Sequence, residues 1–200
     1  YRRQRQMCIR DRRKAAERNC AIAGSVAVCE NGNYYNRFYF VHPDGAVQHY
    51  DKKHLFTFGG EHKRFTAGTE RVVVNFRGVR ILLEICYDLR FPVWARNLGD
   101  YDMILYVASW PTPRVDAWSA LLRARAIENQ CYVAGVNRMG VDPACEYSGG
   151  SAIIDPYGKT IAECPWSRES AVSADIDMEA LQAFRKKFPV LDDADPFTLI

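Results

Sequence analysis

Apolar residues along this chain fall into short runs separated by turn residues, with no single long periodic stripe. Residues 21–28 (AIAGSVAV) form one such run, which predicts a buried strand. Asn31-Gly32-Asn33 follows as a turn signal. Residues 35–41 alternate aromatic and polar positions, His42-Pro43-Asp44-Gly45 turns the chain, and 46–51 returns, which predicts a β-hairpin. A second hairpin is predicted for 71–76 and 79–85 around Arg77-Gly78, and a third for 151–155 and 159–164 around Pro156-Tyr157-Gly158. Residues 102–108, 131–137 and 171–177 read as further strands. Helical spacing is found at the end of a helix over 13–19 and over 91–98, where Pro92 suits a first turn. It recurs over 114–130, with Val115, Trp118, Leu122 and Ala126 on one face, and over the amphipathic stretch 178–187. Residues 52–70 have no clean period, and a loop of that length inside a compact domain usually carries function. Hairpins mixed with strand–helix–strand units predict one α/β domain, a mixed sheet covered by helices.

Composition bounds this picture. With 200 residues, 48% hydrophobic and 26% charged, the chain matches a globular domain and excludes a disordered chain, a collagen-like fibre and a coiled coil. A chain of this size buries about 70% of its unfolded surface. Its longest apolar stretches, 81–83 and 103–108, are far short of the roughly 18 residues a membrane span needs. The charged N-terminus lacks the apolar region of a secretory signal. The net charge of +3 hides a split: residues 1–13 hold six arginines and Asp11, while the remainder has 21 basic and 23 acidic residues. The body therefore offers no argument for nucleic acid or a membrane surface as partner. The string YRRQRQMCIRDR resembles translated sequencing-adapter sequence, so residues 1–12 are set apart as a non-native segment and 13–200 are read as the domain. The alternative is an Arg-rich arm for RNA or membrane. The seven cysteines, 8, 20, 29, 86, 131, 145 and 164, contain no C-x-x-C pair, which removes zinc-ribbon and thioredoxin readings. Their odd number points to a reducing, cytoplasmic compartment.

Three segments carry candidate chemistry. In ILLEICYDLRFPVWARN an apolar strand runs into Cys86 and then at once into a predicted helix. A cysteine on such a turn has a fixed backbone and an exposable sulfur, a helix N-terminus beside it favours the thiolate, and the Tyr87 N–H can face an oxyanion. The bland alternative is a buried structural thiol. YDKKHLF places Lys52 and His54 where a strand meets the long loop. A lysine there can donate a proton or hold developing charge, and His54 either serves as a base for the cysteine or only fixes the loop. EHKRFTAG supplies Glu61, able to pair with and orient the lysine.

Taken in order, Y-D-K-K-H-L-F, E-H-x-x-F-x-x-G and C-Y-D-L-R-F-P resemble the nitrilase (carbon–nitrogen hydrolase) superfamily, from about residue 14 to the C-terminus. The resemblance implies an αββα sandwich, a homodimer, and a Cys–Lys–Glu site that uses no metal or organic cofactor. It implies Cys86 as nucleophile, Lys52 as the triad lysine, Glu61 as the glutamate that orients it, and Tyr87 as an oxyanion donor. ASWPTPR, RARAIENQCYVAGVNR and FRKKFPVLDDADPF are similar to the bacterial omega-amidase branch, which hydrolyses the amide of 2-oxo-dicarboxylic monoamides to release ammonia. A carboxylate-bearing substrate needs a fixed cation. Arg90 and Arg114 are candidates, with Trp110 as a pocket wall. Their plainer readings are a buried pair of Arg90 with Asp88 or another acid, a solvated helix start at Arg114, and packing for Trp110; Glu128 is expected in a structural salt bridge. The family's general-base glutamate ends an early strand that this chain does not present, since Glu17 lies on the preceding helix. The expectation is an αββα fold lacking its first strand and helix, and little or no turnover by these residues alone. Competing readings are a non-catalytic nitrilase-like subunit, or a related hydrolase of nitriles or N-carbamoyl compounds.

Overall fold

A two-residue turn sets the register of the first hairpin. In the computed structural model, which describes residues 2–198 and side chains from residue 9, β1 (Ile22–Glu30) pairs antiparallel with β2 (Asn33–Val41). Between them Asn31 and Gly32 both adopt positive φ, 51° and 81°, the pair a twisted two-residue hairpin requires. β3 (Val47–Asp51) adds to β2 and completes a three-stranded sheet.

The second sheet has six strands in the order β11-β10-β7-β6-β5-β4. β4 (Val73–Phe76) and β5 (Val79–Ile85) form a hairpin over Arg77-Gly78. β5, β6 (Met103–Ala108) and β7 (Tyr132–Asn137) run parallel, with α2 (Pro92–Ala95) and α3 (Val115–Glu128) in the crossovers. Parallel strands are covered on both faces, which explains the nearly unbroken apolar run of β5. β8 (Met139–Val141) and β9 (Glu146–Ser148) form a separate small ribbon, and β10 (Ala152–Ile154) with β11 (Thr160–Glu163) closes the edge. α4 (Met178–Lys187) follows, its Asp177 cap accepting from the Ala180 N–H.

The layers follow from what each face buries. Phe38, Phe40 and Tyr50 of the first sheet pack against Val74, Ile81, Leu83 and Ile85 of the second, so the sheets stack. The other face of the second sheet packs Leu82, Ile104, Tyr106 and Val133 against Trp118, Leu122 and Ala126 of α3. α1 (Arg2–Arg18) contacts β1 and β2 and buries Ala15, giving helix, sheet, sheet and helix in sequence. Among the described residues, no helix is long and apolar enough to cross a membrane.

Three expectations are corrected. The strand at 21–28 exists, but at the sheet edge and with alternate residues exposed: among the described residues β2 is its one strand neighbour, and one of its faces is left open. Residues 171–177 alternate like a strand yet form none, as among the described residues no strand pairs with them. The helix at 91–98 shortens to α2, because a five-residue 3₁₀ turn, Cys86–Arg90, occupies the chain just before Pro92. The helix end expected over 13–19 is there, as the last turns of α1.

Gly68 closes the long loop against β3. Its N–H donates to the Lys52 carbonyl at 2.9 Å, and a Cβ there would stand 2.1 Å from the Asp51 carbonyl oxygen. Gly68→Ala is expected to cost on the order of 1–3 kcal/mol by overpacking against backbone. Thermal unfolding of the variant checks this; an unchanged melting temperature would show that the loop yields freely.

Candidate active site

Cys86 begins the 3₁₀ turn at the end of β5 with φ of 49°. A non-glycine residue in the left-handed region is strained, and such strain persists only where the surroundings impose it. Asp88 does so here. It is fully buried, and its carboxylate accepts from the Ile85 N–H (3.0 Å), the Tyr50 hydroxyl (2.9 Å), the His54 N–H (2.9 Å) and His54 Nδ1 (2.8 Å). The turn is thereby tied to β3 and to the start of the 52–70 loop. From below, Arg125 of α3 donates to the Leu89 carbonyl at 2.6 Å.

Lys52 is 3% exposed and donates to Glu61 Oε2 at 2.6 Å. Glu61 also accepts from the Phe56 N–H at 2.6 Å and the Asn36 amide at 3.1 Å. Burial pushes the Glu61 carboxyl up, but the Lys52 ammonium and these two donors outweigh it and hold the group below its ordinary value. The thiol behaves oppositely. Burial pushes Cys86 up, the Lys52 charge pulls it down, and the Glu61 and Asp88 charges oppose that pull, so the thiol lies above its ordinary value. This corrects the expectation that a helix N-terminus would favour the thiolate: a short 3₁₀ turn follows Cys86, and desolvation dominates. Its sulfur lies 3.8 Å from the Ser109 carbonyl, and among the described residues no carboxylate hydrogen-bonds it.

Cys86 and Tyr87 line a cavity of about 240 Å³ with Trp110, Arg90, Arg114 and Tyr147. Cys86 and Ser109 also border a second, about 390 Å³, between β1 and the parallel strands. Arg90 is exposed and lies over the Trp110 ring at 4.9 Å, so the expected Arg90–Asp88 pair does not form; Asp88 has taken other donors. Arg114 caps α3 and lies over Phe56 at 5.4 Å. Neither guanidinium has an acidic partner among the described residues. Trp110 both lines the cavity and packs at 5.5 Å from Trp118, its indole N–H donating to the Arg114 carbonyl at 2.6 Å. Glu128 pairs with Arg125 at 2.6 Å, as the plain reading had it. His54 stacks on Phe91 at 3.9 Å and bonds Asp88, which places it in support of the turn. Among the described residues, no group of three or more His, Cys, Asp or Glu side chains forms a metal cage.

The family model described as carbon-nitrogen hydrolase matches residues 10–186. The chain belongs to this family. It is 52% identical over 187 residues to omega-amidase YafV of Escherichia coli (strain K12), covering 93% of this chain and 73% of that protein. It is 42% identical over 175 residues to 2-oxoglutaramate amidase of Bacillus subtilis (strain 168), covering 86% of this chain and 67% of that one. A crystal structure of a CN-hydrolase superfamily protein from Xanthomonas campestris, with an arsenic adduct in its active site, superposes with a TM-score of 0.91 at 46% identity, covering 94% of this chain and 74% of that one. The mixed α/β architecture expected from the resemblance is thus the fold this hydrolase has.

Several site residues of the hydrolase carry no signal that a single sequence displays. Asn137 grips the 109–111 loop, accepting from the Trp110 N–H at 2.7 Å and donating to the Trp110 carbonyl at 3.0 Å. Tyr147 and Cys145 reach the cavity from the β8–β9 ribbon, whose three-residue strands fall below any periodicity test. The hub role of Asp88 was visible only as one acid in a motif.

Two outcomes follow from this electrostatic arrangement. Lys52→Met removes the one nearby cation that lowers the Cys86 thiol, so alkylation of Cys86 by iodoacetamide at mildly alkaline pH should slow several-fold; peptide mass mapping reads this, and an unchanged rate would remove Lys52 from the thiol's surroundings. Glu61→Gln strands a buried ammonium and should cost on the order of 3 kcal/mol. Because the Glu61 pKa is lowered in the fold, its contribution is present above about 4.5 and is lost as pH falls further. The melting curves of the wild type and the Glu61→Gln variant should therefore converge in acid; a gap that persists unchanged would refute the pairing.

Proposed function

We propose that this carbon-nitrogen hydrolase cleaves the ω-amide of a short carboxylate-bearing amide of the 2-oxoglutaramate type, giving the 2-oxo acid and ammonia. The observation that supports it most is the conjunction, at one cavity, of a thiol on a strained turn with two guanidiniums that have no acid of their own. The names of the E. coli and B. subtilis relatives point the same way.

In this reading the Cys86 sulfur attacks the amide carbon. The Lys52 ammonium and the Tyr87 N–H face the developing oxyanion, with Glu61 orienting the lysine through their 2.6 Å contact. The leaving nitrogen takes up the proton lost from the Cys86 thiol and departs as ammonia, leaving a thioester on Cys86 that water hydrolyses to the acid and the free thiol; one hard cleavage becomes two easier steps. Arg114 and Arg90 take the substrate carboxylate, and Trp110 walls the chain between them. The reading assigns no residue of the described chain as base for the Cys86 proton. It also takes the protein as a cytoplasmic homodimer acting on a small molecule without a cofactor, on the strength of the family resemblance and the free cysteines.

Ammonia release from 2-oxoglutaramate, a nitrile and an N-carbamoyl amino acid tests the assignment, with the amide expected to be preferred. With the thiol raised and unassisted, release by these 200 residues should be slow at neutral pH and should climb as pH approaches the thiol's ionisation; fast release with a flat profile would make an internal carboxylate the base. Lys52→Met should lower the rate about 100- to 1,000-fold, whereas Lys53→Met, whose ammonium lies over Trp94 at 5.2 Å, should be mild. Arg114→Ala should raise KM for the carboxylate-bearing amide and leave a simple aliphatic amide unaffected; equal effects on both would detach Arg114 from substrate recognition.

A further inference from the structure

Two residues before Cys86, β5 carries a carboxyl group shut off from solvent. Glu84 is 0% exposed, and neither of its carboxyl oxygens has a hydrogen-bond partner. In the parallel register it stands beside Tyr106 of β6, whose hydroxyl is likewise buried and unpartnered. Arg125 Nε, from α3, is another such atom in the same region of the core. The titratable and charged groups that act on Glu84 electrostatically come from several elements: Asp88 from the 3₁₀ turn, Tyr50 from β3, Tyr106 from β6, Tyr101 just before β6, Arg71 from the segment before β4, and Arg125 from α3. Burial pushes the Glu84 carboxyl well above its ordinary range, the Asp88 charge pushes the same way, and Arg71 and Arg125 only partly oppose this.

Two carboxyls close together in a dry interior hold one negative charge between them. The charge settles where donors are. Asp88 has four, from the Tyr50 hydroxyl, the Ile85 N–H, the His54 backbone N–H and His54 Nδ1; Glu84 has none. We propose that Glu84 is a positioning residue, a neutral carboxylic acid beneath the nucleophile turn that leaves Asp88 as the one anion of the pair and so lets Asp88 hold the turn that aims Cys86. Ionising Glu84 would set a second, undonated charge against Asp88 and loosen that turn.

The test reads folding and thiol chemistry, so its outcome is separate from whether the site hydrolyses an amide. A carboxyl neutral in the fold and ionised when unfolded makes stability fall as pH rises above about 4.5, by up to about tenfold in the folding equilibrium constant per pH unit, until the folded group ionises. Glu84→Gln and Glu84→Met lack this liability. Denaturant unfolding between about pH 5 and pH 9 should show both variants gaining on the wild type as pH rises. At about pH 6 iodoacetamide should modify Cys86 at the same rate in all three proteins; by about pH 9 the wild type should lag the variants several-fold. The infrared band of a protonated carboxyl should be present in the wild type at neutral pH and absent from both variants; if neither variant folds, that band and its alkaline loss in the wild type decide the matter. A stability difference that does not change with pH, slower Cys86 modification in the variants at pH 6, or no protonated-carboxyl band would each overturn the proposal.

Discussion

The Asp88 carboxylate is the contact on which the rest of the site depends. Cys86 sits in a backbone conformation that an L-residue adopts at a cost, and Asp88, two residues on in the same five-residue turn, holds it there. Four hydrogen bonds to that one buried carboxylate join the turn to the end of β5, to β3 and to the 52–70 loop. The same acid therefore places the sulfur and anchors the segment that brings Lys52 and Glu61 to it. A salt bridge at the surface would be too weak for this task; a carboxylate in a dry interior, fully satisfied, is not.

The parallel core of the second sheet explains why these loops meet. Cys86 follows β5, the Ser109–Pro111 segment follows β6, and Asn137 ends β7, so three neighbouring strands deliver their carboxyl ends to one place. Open α/β sheets bind ligands at such ends because the connections diverge there and leave a crevice. The first sheet supplies the other half of the site, with Lys52 just past β3 and Asn36 on β2. Neither sheet holds a complete constellation without the other.

Dryness acts on each titratable group here, with results set by the partners. Glu61, met by an ammonium and two N–H donors, is held ionised; Cys86, with one cation and two opposing acids, is held as thiol. The burial is shared, and donor supply separates the outcomes. Lys52 is the group common to both, since its single charge is divided between fixing Glu61 and lowering the sulfur.

What the sequence by itself determined was local. The turn at Asn31-Gly32 and the hairpin at Arg77-Gly78 were legible because two-residue turns demand particular residues, and α3 was legible because Val115, Trp118, Leu122 and Ala126 keep the helical period. Lys52, Glu61 and Cys86 stood out as spaced motifs, and their adjacency is what the fold then produced for Lys52 and Glu61. What only the tertiary structure decided depended on partners distant in sequence. Whether Arg90 pairs with Asp88, whether 171–177 finds a ladder, and whether β1 is covered are questions about neighbours that periodicity does not encode. The thiol's ionisation was misjudged for the same reason: a turn's contribution can be read along the chain, but desolvation is the sum of everything packed around the sulfur, and that sum exists only once the two sheets have closed.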